Sequence, residues 1–530
     1  MKWMKTLSVA AMLLTVSSGA YAQVNLKALK EKAKQEAERM KQEAAAKLKE
    51  TVDSTVNAAK ADVNKKAGEV LGAANEATGG LLDATGATAA VAGAAGLSGI
   101  GSFSGSSDFL NSGKTWYVSA GGSNKNDGAS AATPLKNLQK AIDSAESGDI
   151  ILVAEGNYLG TLDVGYIEIT DKYLSLVGGY TADFSQRNPY IHRTTIITGP
   201  DHVSKNGGKA LLTVNAKGGG NMLVDGFGFD LGGENKYAAP VDDPRNGWPE
   251  GCLTGRMQEI GQGLSCEGGT VGGAAQSHQL MHGNIEGKLV VRNCVFANGC
   301  YYGIQMMNIA GDWEIYNNVF VSNVYAACQI DSMNKDANKC SVDFHHNTVL
   351  FSWCRTKVQE DMGFGFRFMS RVDASVHDNI FGCNNYGALE YTHKDPNKSI
   401  EALRKVSVKN NQFFMNKGDI VLPSASAMWL FVRCDQFEDV EDIDEESGNI
   451  ELKDAKFAER INQPYLNGFA GLKIMQSSSF DANSAANLYR QAHGLNMQGS
   501  EIVRPSMWAN RYPFEECYNL FGALAGCGAQ

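Results

Sequence analysis

No Cys-x-x-Cys pair occurs among the 11 cysteines, which argues against a structural zinc site. Basic residues are in deficit: 48 Lys and Arg against 58 Asp and Glu leave a formal charge of −10, which argues against a nucleic-acid partner. Proline is scarce (11) beside abundant glycine (58), a balance suited to many tight turns between short strands. No apolar run is long enough to cross a bilayer, so no transmembrane segment is expected. The acidic run Glu438–Glu446 lacks the Asp-x-Asp-x-Asp-Gly spacing of an EF-hand loop and reads as a solvated surface.

What is present begins with an export signal. Lys2 and Lys5 flank the start of an apolar stretch through Met12-Leu13-Leu14, and Ala20-Tyr21-Ala22 offers a cleavage site, so residues 1–22 read as a signal peptide. No cysteine at that site could carry a lipid, and export leaves periplasm, outer surface and exterior all open. Exported cysteines can pair, and Cys252/Cys266 and Cys517/Cys527 are the best local candidates, although spacing does not determine connectivity. Residues 23–75 are rich in Ala, Lys and Glu with a thin apolar set from Leu26 to Val70. They predict a helical stalk, either self-associating as a coiled coil or standing as a solvated spacer. Residues 76–113 turn Gly-, Ala-, Ser- and Thr-rich, a flexible linker.

The second half carries a repeat of the form apolar–x–Asn–(x)–apolar–aromatic. Val-Arg-Asn-Cys-Val-Phe ends at Phe296 and Ile-Tyr-Asn-Asn-Val-Phe at Phe320. The motif returns at Leu350, Phe381 and Phe413. Its polar anchors Asn293, Asn317, Asn347, Asp378 and Asn410 are spaced by 24, 30, 31 and 32 residues. Such a period marks a solenoid, whose units must stack because none buries its apolar face alone. Asn tolerates left-handed dihedrals at a sharp bend and can hydrogen-bond to its equivalent in the next coil, and the aromatic that follows is expected to stack inside. The column is therefore scaffold. His345-His346, beside one bend, reads as a surface part of the turn rather than a ligand pair.

Ahead of the repeat, residues 116–158 read as a strand, a Gly/Asn turn, a helix opened by Thr133-Pro134 and running to about Glu146, and the strand Ile150-Ile151-Leu152-Val153. This pattern, with the Gly-Gly-Tyr-x-x-Asp-Phe-Ser-x-Arg-x-Pro stretch at 178–189, resembles the N-terminal cap and first coils of secreted proteins of the pectate-lyase-like superfamily. The resemblance implies an all-β, right-handed parallel β-helix over residues 114–422, with the helix covering one open end. Residues 423–530 lose the period and are expected to form a non-repeating C-terminal cap. The Trp-Ile-Asp-His stretch of pectate lyases is absent, as are the Asn-Thr-Asp and Arg-Ile-Lys motifs of polygalacturonases.

The resemblance places a substrate groove on the strand before the Asn bend. A second repeat locates it: Gly303-Ile304-Gln305-Met306-Met307, Ala327-Cys328-Gln329-Ile330-Asp331, Gly365-Phe366-Arg367-Phe368-Met369 and Ala388-Leu389-Glu390-Tyr391-Thr392, with Ala274-Ala275-Gln276-Ser277-His278 as a looser member. Alternation turns Cys328 inward and points Gln276, Gln305, Gln329, Arg367 and Glu390 outward, with His278 and Asp331 in the next outward column. Such a face suits an acidic polysaccharide; equally, it is a wet sheet face on which Arg367 and Glu390 pair across coils. The loop 351–364 adds Trp353, Arg355 and Lys357, and the Gly-rich excursion 234–273 adds Trp248. Lyase chemistry needs a base, for which Lys357, Arg355 or His278 qualify, and a charge to neutralise the uronate carboxylate, from Arg367 or from Asp331 and Glu390 through Ca²⁺. Arg367, Lys357, Glu390 and Asp331 are thus the catalytic candidates. Gln305, Gln329, Arg355, His278, Trp353 and Trp248 are the binding candidates. No dedicated metal ligand is assigned. The rival reading is a non-catalytic surface protein whose stalk oligomerises it.

Overall fold

The computed structural model describes residues 110–160, 166–197, 210–230, 280–299, 302–323, 325–332, 339–352, 363–368, 371–391, 404–423, 429–440, 443–453, 456–471, 480–499 and 512–521. The signal peptide, the stalk and almost all of the linker lie outside these residues.

Short strands follow one another in a fixed rotation among three parallel sheets. Met281–Glu286 belongs to the first, Lys288–Arg292 to the second and Val295–Ala297 to the third. The rotation repeats with Ala326–Asp331, Cys340–His345 and Thr348–Leu350, then with Phe364–Phe368, Asp373–His377 and Ile380–Gly382. Each of these strands pairs in parallel with its equivalent one coil away, as Gln329 with Arg367 and His345 with His377, and only near the C-terminal end of the described coils does Trp429–Val432 pair antiparallel, with Ile420–Pro423. The result is a parallel β-helix. The first two sheets merge through one 15-residue strand, Tyr302–Tyr316, and the third has nine strands among the described residues. Gly311, at φ +145°, carries that long strand across the corner, and a Cβ there would collide with the carbonyl of Gly287 from the coil below.

The core lies inside the coil, where alternation sends one side chain of each pair inward. Phe229, Phe296 and Phe320 stack with ring centroids 4.8 and 5.0 Å apart, as the repeat predicts. Cys328 is a fully buried thiol whose pKa burial raises well above its ordinary value.

The bend between the second and third sheets has two residues with different tasks. Asn293, Asn317, His346, Asp378 and Asn410 take the left-handed position. The next residue turns inward, and Asn318, Asn347, Asn379 and Asn411 form a buried ladder, continued by the half-buried Asn449, in which the backbone N–H of each member donates to the carboxamide oxygen of the member one coil further on. Asn347 therefore belongs to the ladder rather than to the anchor column, and His346 holds the left-handed place in its coil. A second ladder runs at the bend from the third sheet to the first. There Ser352 N–H donates to Asn384 Oδ1 (3.2 Å) and Asn384 N–H to Asn416 Oδ1 (3.0 Å).

The N-terminal end is closed by a helix, α1, at Leu138–Ser144, capped by Asn137 rather than opened at Thr133-Pro134. Leu135 cannot be helical because its N–H donates to Tyr117 O and its carbonyl accepts from Ser119 N–H, extending the sheet edge. The Gln139 carboxamide bonds both backbone groups of Glu168, occupying the edge where a neighbouring strand would lie.

Beyond residue 423 the coil continues before it ends. Glu445–Ser447 pairs with Val406–Lys409, and Asn449 extends the ladder, so part of the acidic run is strand. Helices α2 (Gln463–Ala470) and α3 (Ala485–Ala492) and the 3-10 turn Phe514–Leu520 then pack over the outer face of the third sheet. That face needs cover because Val295, Val319, Val321, Leu350 and Ile380 point outward from it. Cys517 is a buried free thiol within this layer; Cys527, its anticipated partner, and the pair Cys252/Cys266 lie outside the described residues.

Candidate functional site

The outward column of the first sheet is continuous through seven coils. In register it reads Glu168, Thr213, His282, Gln305, Gln329, Arg367 and Glu390. Gln305, Gln329, Arg367 and Glu390 stand where alternation placed them. His282, not Gln276, precedes Gln305, because Met281–Glu286 is the strand in that coil. Its signal was the strict apolar–polar alternation Met281-His282-Gly283-Asn284-Ile285, which the Ala-Gln composition of 274–278 obscured. Lys357, Arg355, Trp353, His278 and Trp248 lie outside the described residues.

Arg367 and Glu390 do not form a wet face. They are 5 % and 3 % exposed, joined by an ion pair through Arg367 Nε, and Arg367 Nη1 donates to Gln329 Oε1 at 3.1 Å. The Tyr325 and Phe364 rings lie 5.0 and 4.9 Å from the guanidinium carbon. Burial alone would lower the Arg367 pKa, but the Glu390 carboxylate together with Tyr325 and Tyr302 outweighs it and the guanidinium stays charged. Its charge is already compensated, so it serves poorly as a free cation for a substrate carboxylate.

Asp331 lies one strand position along, in the column with Met307 and Asn284. Burial raises its carboxyl above the ordinary range, opposed by the Ser332 N–H (2.7 Å) and by Arg371 and Arg367. His282 is half-buried and burial lowers its pKa. Burial thus shifts both Asp331 and His282 toward their uncharged forms.

On the second sheet, the column Arg292, Tyr316, His345, His377 and Lys409 also faces outward. Tyr316, His345 and His377 stack at 4.8 Å intervals, and His377 Nε2 lies 3.0 Å from Asp343 Oδ1. Its hydrogen bond with Asp343 raises the His377 pKa, whereas burial lowers that of His345 to about 4.

No family profile and no curated sequence matches this chain. Solved structures similar to it include the pectate lyase Pel9A, 10 % identical over 74 % of this chain and 89 % of that one, with a TM-score of 0.34. A rhamnogalacturonan lyase is 13 % identical over 75 % of this chain and 99 % of its own, with a TM-score of 0.30. XylC in complex with xylose is 10 % identical over 58 % and 63 % of the two chains, at 0.32. The likeness is one of fold alone, and the parallel β-helix itself rests on the strand register described above.

Proposed function

We propose that this protein is an exported, right-handed β-helix that binds a linear acidic polysaccharide along the outward column of its first sheet. The observation that supports this is the periodicity of the column: the partly exposed His282, Gln305 and Gln329 come from successive coils, ~4.8 Å apart. A row of imidazole and amide groups at that spacing can hydrogen-bond repeatedly along an extended polymer. The handedness follows the strong preference of parallel crossovers, and export follows the signal at residues 1–22. Among the described residues no helix is long and apolar enough to cross a membrane.

Binding takes precedence over cleavage because Arg367 is paired with Glu390. A specific observation nonetheless favours a lyase as the second reading: the raised, half-buried Asp331 carboxyl has the character of a general base. In that reading Asp331 takes the proton, and a cation bound with the substrate neutralises the uronate carboxylate. The deciding experiment exposes the full chain to neutral and uronate-containing polysaccharides, with and without Ca²⁺. It measures retention in affinity gels and ultraviolet absorbance from unsaturated ends. Retention by uronate polymers that weakens in His282→Ala and Gln329→Ala supports binding; no retention by any polymer overturns it. New absorbance that is lost in Asp331→Asn adds the lyase activity. A multimer in solution with residues 23–113 and a monomer without them would establish the self-associating stalk; monomers in both cases would remove it.

A further inference from the structure

We propose a second, independent site at the corner between the second and third sheets, where His346, His377 and Asp378 bind a divalent transition-metal ion of the zinc type. Stacking brings these groups together. His345 and His377 are register partners on adjacent coils, and the residue after each, His346 and Asp378, takes the left-handed bend position at φ 50° and 54°. That backbone turn brings the donor atoms of His346, His377 and Asp378 within 4.8 Å of one another, in a half-buried setting. Ligands about 2.0–2.1 Å from a tetrahedral ion stand roughly 3.3 Å apart, so modest side-chain rotation closes the set. His377 Nδ1 and Asp378 Oδ2 already lie 2.7 Å apart.

The surroundings independently support a ligand role. His377 points Nδ1 toward Asp378 while Nε2 meets Asp343 Oδ1 at 3.0 Å. A carboxylate on the far ring nitrogen is the arrangement that fixes the tautomer and orientation of a metal-binding imidazole. His345 holds its neighbour in the same way, with its Nδ1 2.8 Å from His346 Nδ1 while it is stacked between Tyr316 and His377. Two imidazoles and one carboxylate select a borderline ion over Ca²⁺ or Mg²⁺, which take oxygen ligands. Three protein ligands leave a coordination position for water or a ligand. The same sheet face carries a cleft of about 300 Å³ lined by Ser341, Asp343, Ser375, Lys405 and Ser407. Asp343 therefore belongs to both, and a molecule in the cleft would lie beside the ion.

The test is calorimetric titration of the full chain, stripped with a chelator, with Zn²⁺, and with Co²⁺ followed by its visible absorption. The expectation is a saturable site whose affinity falls by about tenfold to a hundredfold in Asp343→Asn and further in His377→Gln and Asp378→Asn. His282→Ala, on the other sheet, should leave it unchanged. Circular dichroism of each variant separates loss of metal from loss of fold, and Asp343→Asn, at the sheet surface, keeps the test open should a bend variant not fold. Absence of saturable binding, a preference for Ca²⁺ over Zn²⁺, or binding that persists at full strength in folded His377→Gln and Asp378→Asn overturns the proposal. None of these outcomes depends on whether the first sheet binds a polysaccharide.

Discussion

Arg367 and Glu390 face each other on adjacent coils and form an ion pair in which both side chains are nearly inaccessible to water. Two charges removed from water must compensate each other. Arg367 also donates to Gln329 and lies against Tyr325 and Phe364. Arg367→Ala would leave Glu390 buried without its partner and is expected to destabilise the protein by about 3–5 kcal/mol. Arg367→Met with Glu390→Leu should recover most of that loss. Urea unfolding of the single and double variants measures both.

The Asn ladder makes a second prediction. Asn379 accepts from the Asn347 N–H at 2.9 Å and donates to Phe344 O at 2.9 Å. Asn379→Ala leaves both backbone groups buried without these partners, at about 1–3 kcal/mol for each group stranded. A control on the outer face of the second sheet, Ser375→Ala, should change the urea midpoint little.

Asp225 predicts how stability responds to acid. Burial acts to raise its carboxyl, but Arg187 and Arg292 outweigh that effect and hold it below its ordinary value of 3.8. Because the folded pKa lies below the unfolded one, the stabilisation is fully present above 3.8 and is lost as pH falls through the folded value. The stability difference between the wild type and Asp225→Asn should therefore be largest near neutrality and shrink below about pH 4. Denaturant unfolding across that range checks it.

For the polysaccharide groove, His282→Ala and Gln329→Ala should each weaken affinity by about two- to tenfold, the worth of one hydrogen bond. If turnover is observed, its rate should rise with pH through the raised Asp331 pKa, because the carboxylate is the base. Asp331→Asn should then abolish turnover while retaining binding. Affinity gels and the absorbance assay separate the two effects.

The repeat was legible because a stacked coil needs the same residue at the same bend. Asn317-Asn318, Asp378-Asn379 and Asn410-Asn411 announce a left-handed residue followed by a ladder residue, and the Phe after each announces the core. Where His346 replaces the first Asn, the pattern slips by one, and only the backbone dihedral reveals it. The second ladder, through Ser352, Asn384 and Asn416, was equally present in the chain but lay in segments of variable composition. The apolar outward residues of the third sheet require a covering layer, and only the fold shows that residues 456–471, 480–499 and 512–521 supply it.

By itself the sequence determined a solenoid and the outward column Gln305, Gln329, Arg367, Glu390, since period and alternation are local properties of a chain. Tertiary structure alone decided that Arg367 and Glu390 are buried rather than wet, and that His346, His377 and Asp378 share one corner. Those facts depend on which side chains from coils about 30 residues apart come together, and on what else covers them. Distance along the chain carries no information about either until the coils have stacked.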